Sequence, residues 1–87
     1  KANLAKAVET YAKVGMATTD AFICCWRCKY RFNTLRPVTY INQTIDPAWK
    51  PLLATPPFPE YTSGHSSGSA AAATALEDMF GHNYAFT

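Results

Sequence analysis

Residues 62–76 read TSGHSSGSAAAATAL, so that a cluster of small polar residues runs directly into an alanine-rich stretch. Alanine is the best helix former, and serine or threonine is favoured before a helix because its side-chain oxygen accepts a hydrogen bond from a free amide of the first turn. Glycine commonly stops a helix, and Gly81 follows at a suitable place. These residues predict a helix that begins in the polar cluster and ends at Gly81.

A proline-rich segment precedes this helix. All six prolines of the chain fall between Arg36 and Glu60, and proline is excluded from helix interiors and central strands. We therefore expect residues 37–62 to form an extended, ordered loop, and loops of this length in compact domains commonly carry a site. The loop has apolar side chains that must pack against something: Tyr40, Ile41, Ile45, Trp49, Leu52, Leu53 and Phe58.

Two further helices are predicted before the loop. Residues 4–15 carry apolar side chains at helical spacing. The run Thr18-Thr19-Asp20 offers a break, with Asp20 as the N-cap of a second helix that Arg36-Pro37 ends. No strand pattern is present. The predicted fold is all-α, part of a helical bundle with a long proline-rich loop between the second and third helices.

The composition bounds the size and class of the protein. The 87 residues are 48% hydrophobic and 16% charged, an ordinary globular balance. The net charge of +2 is small, and the lysines and arginines are not clustered. Both features argue against a protein that binds nucleic acid or a membrane surface through a basic patch. No apolar run approaches the roughly 20 residues of a membrane span. Since the chain is short and lacks an initiator Met, we expect residues 1–87 to be a partial helical domain.

Three cysteines lie close together at Cys24, Cys25 and Cys28. The Cys25-x-x-Cys28 pair lacks the second pair that a structural zinc site needs. It also lies inside a helical pattern, whereas a thioredoxin-like motif follows a strand. We expect all three to be buried free thiols that act as small hydrophobic residues.

Ser63-Gly64-His65, at the start of the alanine-rich helix, is a candidate anion site. A helix N-terminus presents unpaired N–H groups and a partial positive charge. Gly64 allows close backbone approach, the Ser63 hydroxyl can donate, and His65 can move protons near neutral pH. An N-cap serine, a turn glycine and a surface histidine would give the same local sequence.

Lys29 and Arg36 could complete such a site. Seven residues make two helical turns, so both side chains would lie on one helix face, about 10 Å apart. Lysine supplies a point charge and arginine a bidentate fork, a pair suited to tetrahedral oxyanions. The alternative is a pair of solvated basic residues, which is what we expect of Arg27 and Arg31.

These residues also form recognisable motifs. Lys29, six residues and Arg36-Pro37 resemble the first motif of the superfamily that joins vanadium-dependent haloperoxidases and type 2 phosphatidic acid phosphatases. Residues 60–66, EYTSGHS, are similar to its second motif, usually Pro-Ser-Gly-His. Residues 36–41 and 55–60 are similar to the soluble bacterial haloperoxidase-like branch. The resemblance covers residues 20–87.

Two departures from the family pattern are visible. Thr62 replaces the usual proline, at a position that shapes the turn and does not bind. The third motif, a Ser-Arg pair followed by a histidine, is absent from the 87 residues. In relatives that histidine is the axial vanadate ligand or the phosphatase nucleophile. His82 does not match it, because no arginine lies between position 36 and His82. We therefore expect the axial histidine downstream, no metal ligand in this stretch, and an isolated fragment without activity.

The resemblance implies a role for each motif residue. Lys29 and Arg36 would neutralise the oxygens of a bound oxyanion, and Ser63 with the Gly64 N–H would complete the cradle. In a haloperoxidase, His65 would take a proton from hydrogen peroxide, and Lys29 would polarise the peroxide toward halide attack. In a phosphatase, His65 would protonate the leaving alcohol.

Three functions follow as hypotheses. The leading one is a haloperoxidase-like enzyme with vanadate as cofactor, which oxidises halide with hydrogen peroxide. The second is an acid phosphatase of the same superfamily that hydrolyses phosphomonoesters without a cofactor. The third is a non-catalytic oxyanion-binding fragment. Relatives of this branch are often exported, so the resemblance implies a periplasmic or secreted protein.

Overall fold

A computed structural model describes residues 3–86 as three helices joined by irregular segments. Helix α1 spans Leu4–Phe32, α2 spans Pro37–Thr44 and α3 spans Gly64–Phe80. Residues 3–86 contain no β-strand. The predicted all-α class is therefore confirmed. None of these helices is long and apolar enough to cross a membrane.

Helix α1 is continuous, so the predicted break at residues 18–20 is wrong. Its N-cap is Asn3, whose side chain accepts from the Lys6 N–H at 2.8 Å. The Thr19 hydroxyl donates to the Gly15 carbonyl at 2.8 Å, which satisfies the hydroxyl within the helix. Asp20 lies exposed inside α1 and caps nothing. A polar run thus interrupts the apolar pattern without interrupting the backbone.

The end of α1 also differs from the prediction. The helix stops at Phe32, where Asn33 adopts the left-handed conformation with φ 49° and its N–H donates to the Lys29 carbonyl at 2.8 Å. Asparagine tolerates this conformation better than most residues. Arg36-Pro37, predicted to end a helix, instead begins one.

Helix α2 corrects the expectation that residues 37–62 contain no helix. Arg36 is its N-cap and Pro37 stands at the first helical position. Proline is favoured there, because an N–H at this position would have no partner within the helix and because the fixed φ of proline suits the helix. The next proline is Pro47, after the helix has ended.

Residues 45–63 form the irregular segment between α2 and α3. Asn42 holds its first turn, because its side-chain amide donates to the carbonyls of Asp46 at 3.0 Å and Trp49 at 2.8 Å. The apolar side chains of this segment do not all pack as expected. Leu52 is 99% exposed, whereas Phe58 is partly buried.

The packing of α1 against α3 organises the described chain and rests on two glycines. A Cβ on Gly64 would lie 3.2 Å from the Trp26 ring, and one on Gly68 would lie 3.2 Å from the Phe22 ring. Each pair is spaced by four residues, so both lie along one face of their helix. The Phe22 and Trp26 rings also contact each other edge to face, with centroids 5.5 Å apart. Two aromatic rings of α1 therefore occupy the space that side chains on α3 would fill.

Few residues are fully buried in this arrangement. Among residues 3–86, only Cys25, Lys29 and Gly68 are classed as buried. The outer surface of α1 exposes large apolar side chains: Leu4, Val8, Tyr11, Met16, Ile23 and Tyr30. The buried part of the structure is therefore confined to the region where α1, α3 and the end of the proline-rich segment meet.

Gly15 and Gly68 lie in different environments, so substitution by alanine should change the stability of the protein differently at the two positions. A Cβ on Gly15 meets nothing within 4 Å, so we expect Gly15→Ala to raise the free energy of unfolding by about 0.5–1 kcal/mol. Gly68→Ala gains the same helix propensity but crowds the Phe22 ring, and overpacking costs roughly 1–3 kcal/mol. Denaturant unfolding of the intact protein should therefore rank Gly15→Ala above the wild type and Gly68→Ala below Gly15→Ala. Equal stability of the two variants would show that α3 does not pack on Phe22 as described.

Candidate oxyanion-binding site

A cavity of about 370 Å³ opens where α1, the N-terminus of α3 and the end of the proline-rich segment meet. The five residues predicted from the sequence all line it: Lys29, Arg36, Ser63, Gly64 and His65. Its other walls are Phe22, Trp26, Pro56, Phe58 and Glu60. The structure thus brings the basic residues of the first motif and the helix start of the second motif to one concavity.

Lys29 is the most deeply buried large side chain described, with only 1% of its surface exposed. Its ammonium donates to the carbonyls of Pro59 at 3.0 Å and Glu60 at 2.8 Å. It also lies 5.0 Å from the centroid of the Phe58 ring, within cation–π range. An ammonium has three N–H donors, so one remains beyond these two hydrogen bonds. The interpretation of Lys29 as a solvated surface residue is therefore wrong.

The charge of Lys29 has no carboxylate counterpart within residues 3–86. The two lysine ion pairs described there join Lys13, at the surface, to Glu9 and to Asp78. Buried charges in proteins are normally paired or bound to an ion, because removing them from water is costly. Two carbonyl dipoles and an aromatic face compensate Lys29 in part. An anion in the cavity would complete the compensation.

Arg36 reaches the same cavity from a different element. It is the N-cap of α2 and does not share a helix with Lys29, so the predicted placement on one helix face is wrong. The Arg36 Nε donates to the Phe58 carbonyl at 2.8 Å, and its Cζ lies 5.1 Å from the Phe58 ring centroid. The two cations meet because both bind the backbone of residues 58–60. Four guanidinium N–H donors of Arg36 remain beyond the Nε bond.

The N-terminus of α3 supplies the third side of the site. Ser63 is the N-cap, and its hydroxyl oxygen accepts from the Ser66 N–H at 3.2 Å. The hydroxyl hydrogen of Ser63 is left to donate. Amides of the first helical turn lack intrahelical partners, which applies to Gly64 and His65. The interpretation of Ser63 as a capping serine is thus correct. It is compatible with anion binding, because the cap uses the hydroxyl oxygen as an acceptor and an anion would use the hydroxyl hydrogen.

His65 lies at the second helical position and is exposed, while still lining the cavity. Its imidazole therefore has access both to a ligand and to bulk water. Glu60 also lines the cavity, and its backbone carbonyl accepts from Lys29. The remaining walls are largely aromatic, with Trp26 and Phe58 in contact at a centroid distance of 5.2 Å. The cavity thus combines cationic donors with an apolar surface.

Comparison with known proteins shows the family to which this chain belongs. Residues 9–87 match the family model described as the VCPO second helical-bundle domain. The crystal structure of a bacterial vanadium-dependent iodoperoxidase is 57% identical in sequence and aligns over 94% of this chain with a TM-score of 0.86. The chain belongs to the vanadium haloperoxidase superfamily. It spans about a fifth (20%) of the length of that iodoperoxidase chain. No curated protein matches it.

Gly64 has a packing role in this haloperoxidase-family chain that the sequence did not suggest. The expectation that its missing Cβ leaves space for an oxyanion stays a prediction. A Cβ at this position would lie 3.2 and 3.3 Å from two carbons of the Trp26 ring. The glycine therefore permits close packing of α3 on α1. That packing places the first amides of α3 beside the helix that carries Lys29.

Sequence reasoning missed a contact between Cys25 and Thr62. The buried Cys25 Sγ donates to the Thr62 carbonyl at 3.2 Å, and the Thr62 hydroxyl lies 3.2 Å from the same sulfur. Thr62 was expected only to shape a turn in place of the family's usual proline. The expectation of three buried thiols is correct for Cys25 only, since Cys24 is exposed and Cys28 is partly buried.

His82 does not line the cavity. It follows the C-terminus of α3 and pairs through Nδ1 with Glu77 at 3.0 Å. Helix α3 has 17 residues, which separates its two ends by about 25 Å. Among residues 3–86, no group of three or more His, Cys, Asp or Glu side chains could hold a metal ion.

Removing the buried charge should weaken anion binding at this haloperoxidase-family site. Lys29→Met keeps the unbranched stem and removes the ammonium. A charge-assisted hydrogen bond is worth roughly 1.5–3 kcal/mol, so we expect vanadate or phosphate affinity to fall at least about tenfold. Lys13→Met is the matched control, because Lys13 is an exposed lysine on the same helix. Calorimetric titration of the intact protein measures both. Equal affinities in the two variants would contradict the assignment of Lys29.

Proposed function

We propose that this chain forms part of a vanadate-dependent haloperoxidase, which oxidises halide with hydrogen peroxide at the cavity described above. One observation carries the proposal. A buried lysine without a carboxylate partner in the described chain shares a cavity with an arginine and a helix N-terminus. Three sources of positive potential in one concavity favour a multiply charged anion. Membership of the vanadium haloperoxidase superfamily makes vanadate the first anion to consider.

The donor set fits vanadate. Its oxygens would be held by the third N–H of Lys29, the free guanidinium N–H groups of Arg36, the Ser63 hydroxyl and the Gly64 amide. Each of these donors belongs to a residue that lines the cavity. When bound, vanadate supplies an electrophilic centre that activates hydrogen peroxide for attack by halide. The chain contributes by fixing the donors before the reaction, because Lys29 and Arg36 are both held by the backbone of residues 58–60.

His65 is the proton carrier in this proposal. Its exposed imidazole at the cavity edge accepts a proton at a ring nitrogen as hydrogen peroxide enters. Lys29 has a different part: its buried ammonium keeps a positive charge beside the reacting oxygens. Arg36 and the α3 amides orient the anion. Proton transfer and charge stabilisation thus fall to different residues.

The site as described is incomplete for this reaction. The family's third motif, with its axial histidine, does not occur in the 87 residues, and the chain spans 20% of the iodoperoxidase. We propose that the intact protein supplies this histidine from outside the chain. The exposed apolar side chains of α1, among them Leu4 and Tyr11 at 82% each, support a larger helical domain that covers them.

The proposed function is tested on the intact protein. Hydrogen peroxide consumption is measured with iodide, bromide or chloride, with vanadate present and after its removal by a chelator, and phosphate release from a phosphomonoester is measured without vanadate. We expect halide-dependent peroxide consumption that requires vanadate. Iodide is tested first because the structural relative is an iodoperoxidase. Peroxide consumption that persists fully without vanadate would overturn the proposal, and phosphate release alone would favour the phosphatase.

His65→Ala should separate turnover from binding. The variant loses the proton acceptor but keeps Lys29, Arg36 and the Ser63 cap, so we expect turnover to fall about 100-fold or more with vanadate affinity changed less than about threefold. His82→Ala is the control, since that histidine lies beyond the far end of α3. Initial rates and vanadate titrations of both variants provide the test. A His65→Ala variant with wild-type turnover would exclude the proton-transfer role.

A further inference from the structure

Cys25 and Thr62 form a buried polar pair that the proposed reaction does not use directly. Only 3% of the Cys25 surface is exposed. Its thiol donates to the Thr62 carbonyl at 3.2 Å, while the Thr62 hydroxyl approaches Sγ at 3.2 Å and the Cys25 carbonyl at 3.5 Å. Each side chain therefore donates a hydrogen bond to the other residue, the thiol to a carbonyl and the hydroxyl to the sulfur. Both polar side chains are satisfied by these hydrogen bonds.

The pair joins the two elements that build the oxyanion site. Cys25 lies four residues before Lys29, so the two side chains stand one above the other on the same face of α1. Thr62 directly precedes Ser63, the N-cap of α3. A contact between Cys25 and Thr62 therefore sets where the Ser63 hydroxyl and the first α3 amides stand relative to the Lys29 ammonium. The glycine contacts with Phe22 and Trp26 set how closely the helices approach, but apolar contact is non-directional.

We infer that Cys25 and Thr62 are positioning residues, whose hydrogen-bonded pair fixes the α3 N-terminus against Lys29 and so tunes oxyanion affinity. This inference rests on the proposed function insofar as the oxyanion is vanadate. It requires no redox change at sulfur and no contact between Cys25 and the anion. Hydrogen bonds are directional, so the pair adds an orientation that packing alone does not supply.

The inference predicts how substitutions of Cys25 and Thr62 change anion affinity. Thr62→Val keeps the shape of the side chain and removes the hydroxyl, whereas Thr62→Ser keeps the hydroxyl. Cys25→Ala removes the thiol. A neutral hydrogen bond is worth a factor of about two to ten in an equilibrium constant, so we expect Thr62→Val and Cys25→Ala each to weaken anion affinity by that factor. Thr62→Ser should restore affinity to within about twofold of the wild type.

The test measures vanadate and inorganic phosphate affinity of the intact protein by calorimetry, well below the unfolding temperature of each variant. Two controls remove the same groups elsewhere. Cys24→Ala removes an exposed thiol from α1, and Thr74→Val removes a hydroxyl that donates to the Ala70 carbonyl within α3. Neither should change anion affinity by more than about twofold. The double variant Cys25→Ala/Thr62→Val should lose less than the sum of the two single variants, because both changes remove the contact between the Thr62 hydroxyl and Sγ.

The outcomes separate this inference from the proposed function. Lower thermal stability with unchanged anion affinity in both single variants would show that Cys25 and Thr62 have only a structural role, and would overturn the inference. Fully additive losses in the double variant would overturn the pairing. If the wild type binds both anions and the variant pattern holds, but no vanadate-dependent halide oxidation occurs, the inference stands and the proposed function falls. Failure of the wild type to bind either anion would overturn both.

Discussion

The burial of the Lys29 ammonium against the end of the proline-rich segment is the interaction on which the described site depends most. The ammonium lies buried against two consecutive backbone carbonyls, those of Pro59 and Glu60. Without that contact, the end of the proline-rich segment would lose two of its hydrogen bonds to α1. The same attachment brings Arg36 into place, because Arg36 binds the adjacent carbonyl of Phe58. A charge that is costly to bury therefore organises the loop and at the same time creates a demand for an anion.

Local chemistry was sufficient to predict α3. Ser63 caps the helix and Gly81, with φ 86°, ends it, as the polar cluster and the glycine indicated. These features depend on neighbouring residues in the sequence, such as a hydroxyl that reaches the amide three residues ahead, and can be predicted without knowledge of the fold. The site residues were instead singled out by their resemblance to two family motifs. They line one cavity, and their roles stay predictions.

The mistaken predictions share a different cause. Thr18-Thr19-Asp20 resembles a helix break, yet Thr19 satisfies its hydroxyl within α1. Pro37 resembles a helix end, yet it begins α2. In both cases the same residue type suits two local structures, so the local pattern alone does not decide between them. The convergence of Lys29 and Arg36 on residues 58–60 could not be read from their spacing, because the loop that unites them is more than 20 positions away along the chain.

The contrast in solvent exposure between His65 and Lys29 has a kinetic consequence. The imidazole stands in contact with bulk water, whereas the ammonium is shielded almost completely. In the proposed haloperoxidase, a proton taken up by the imidazole would therefore pass directly to buffer. The shielded ammonium would act on a bound anion with little screening by water.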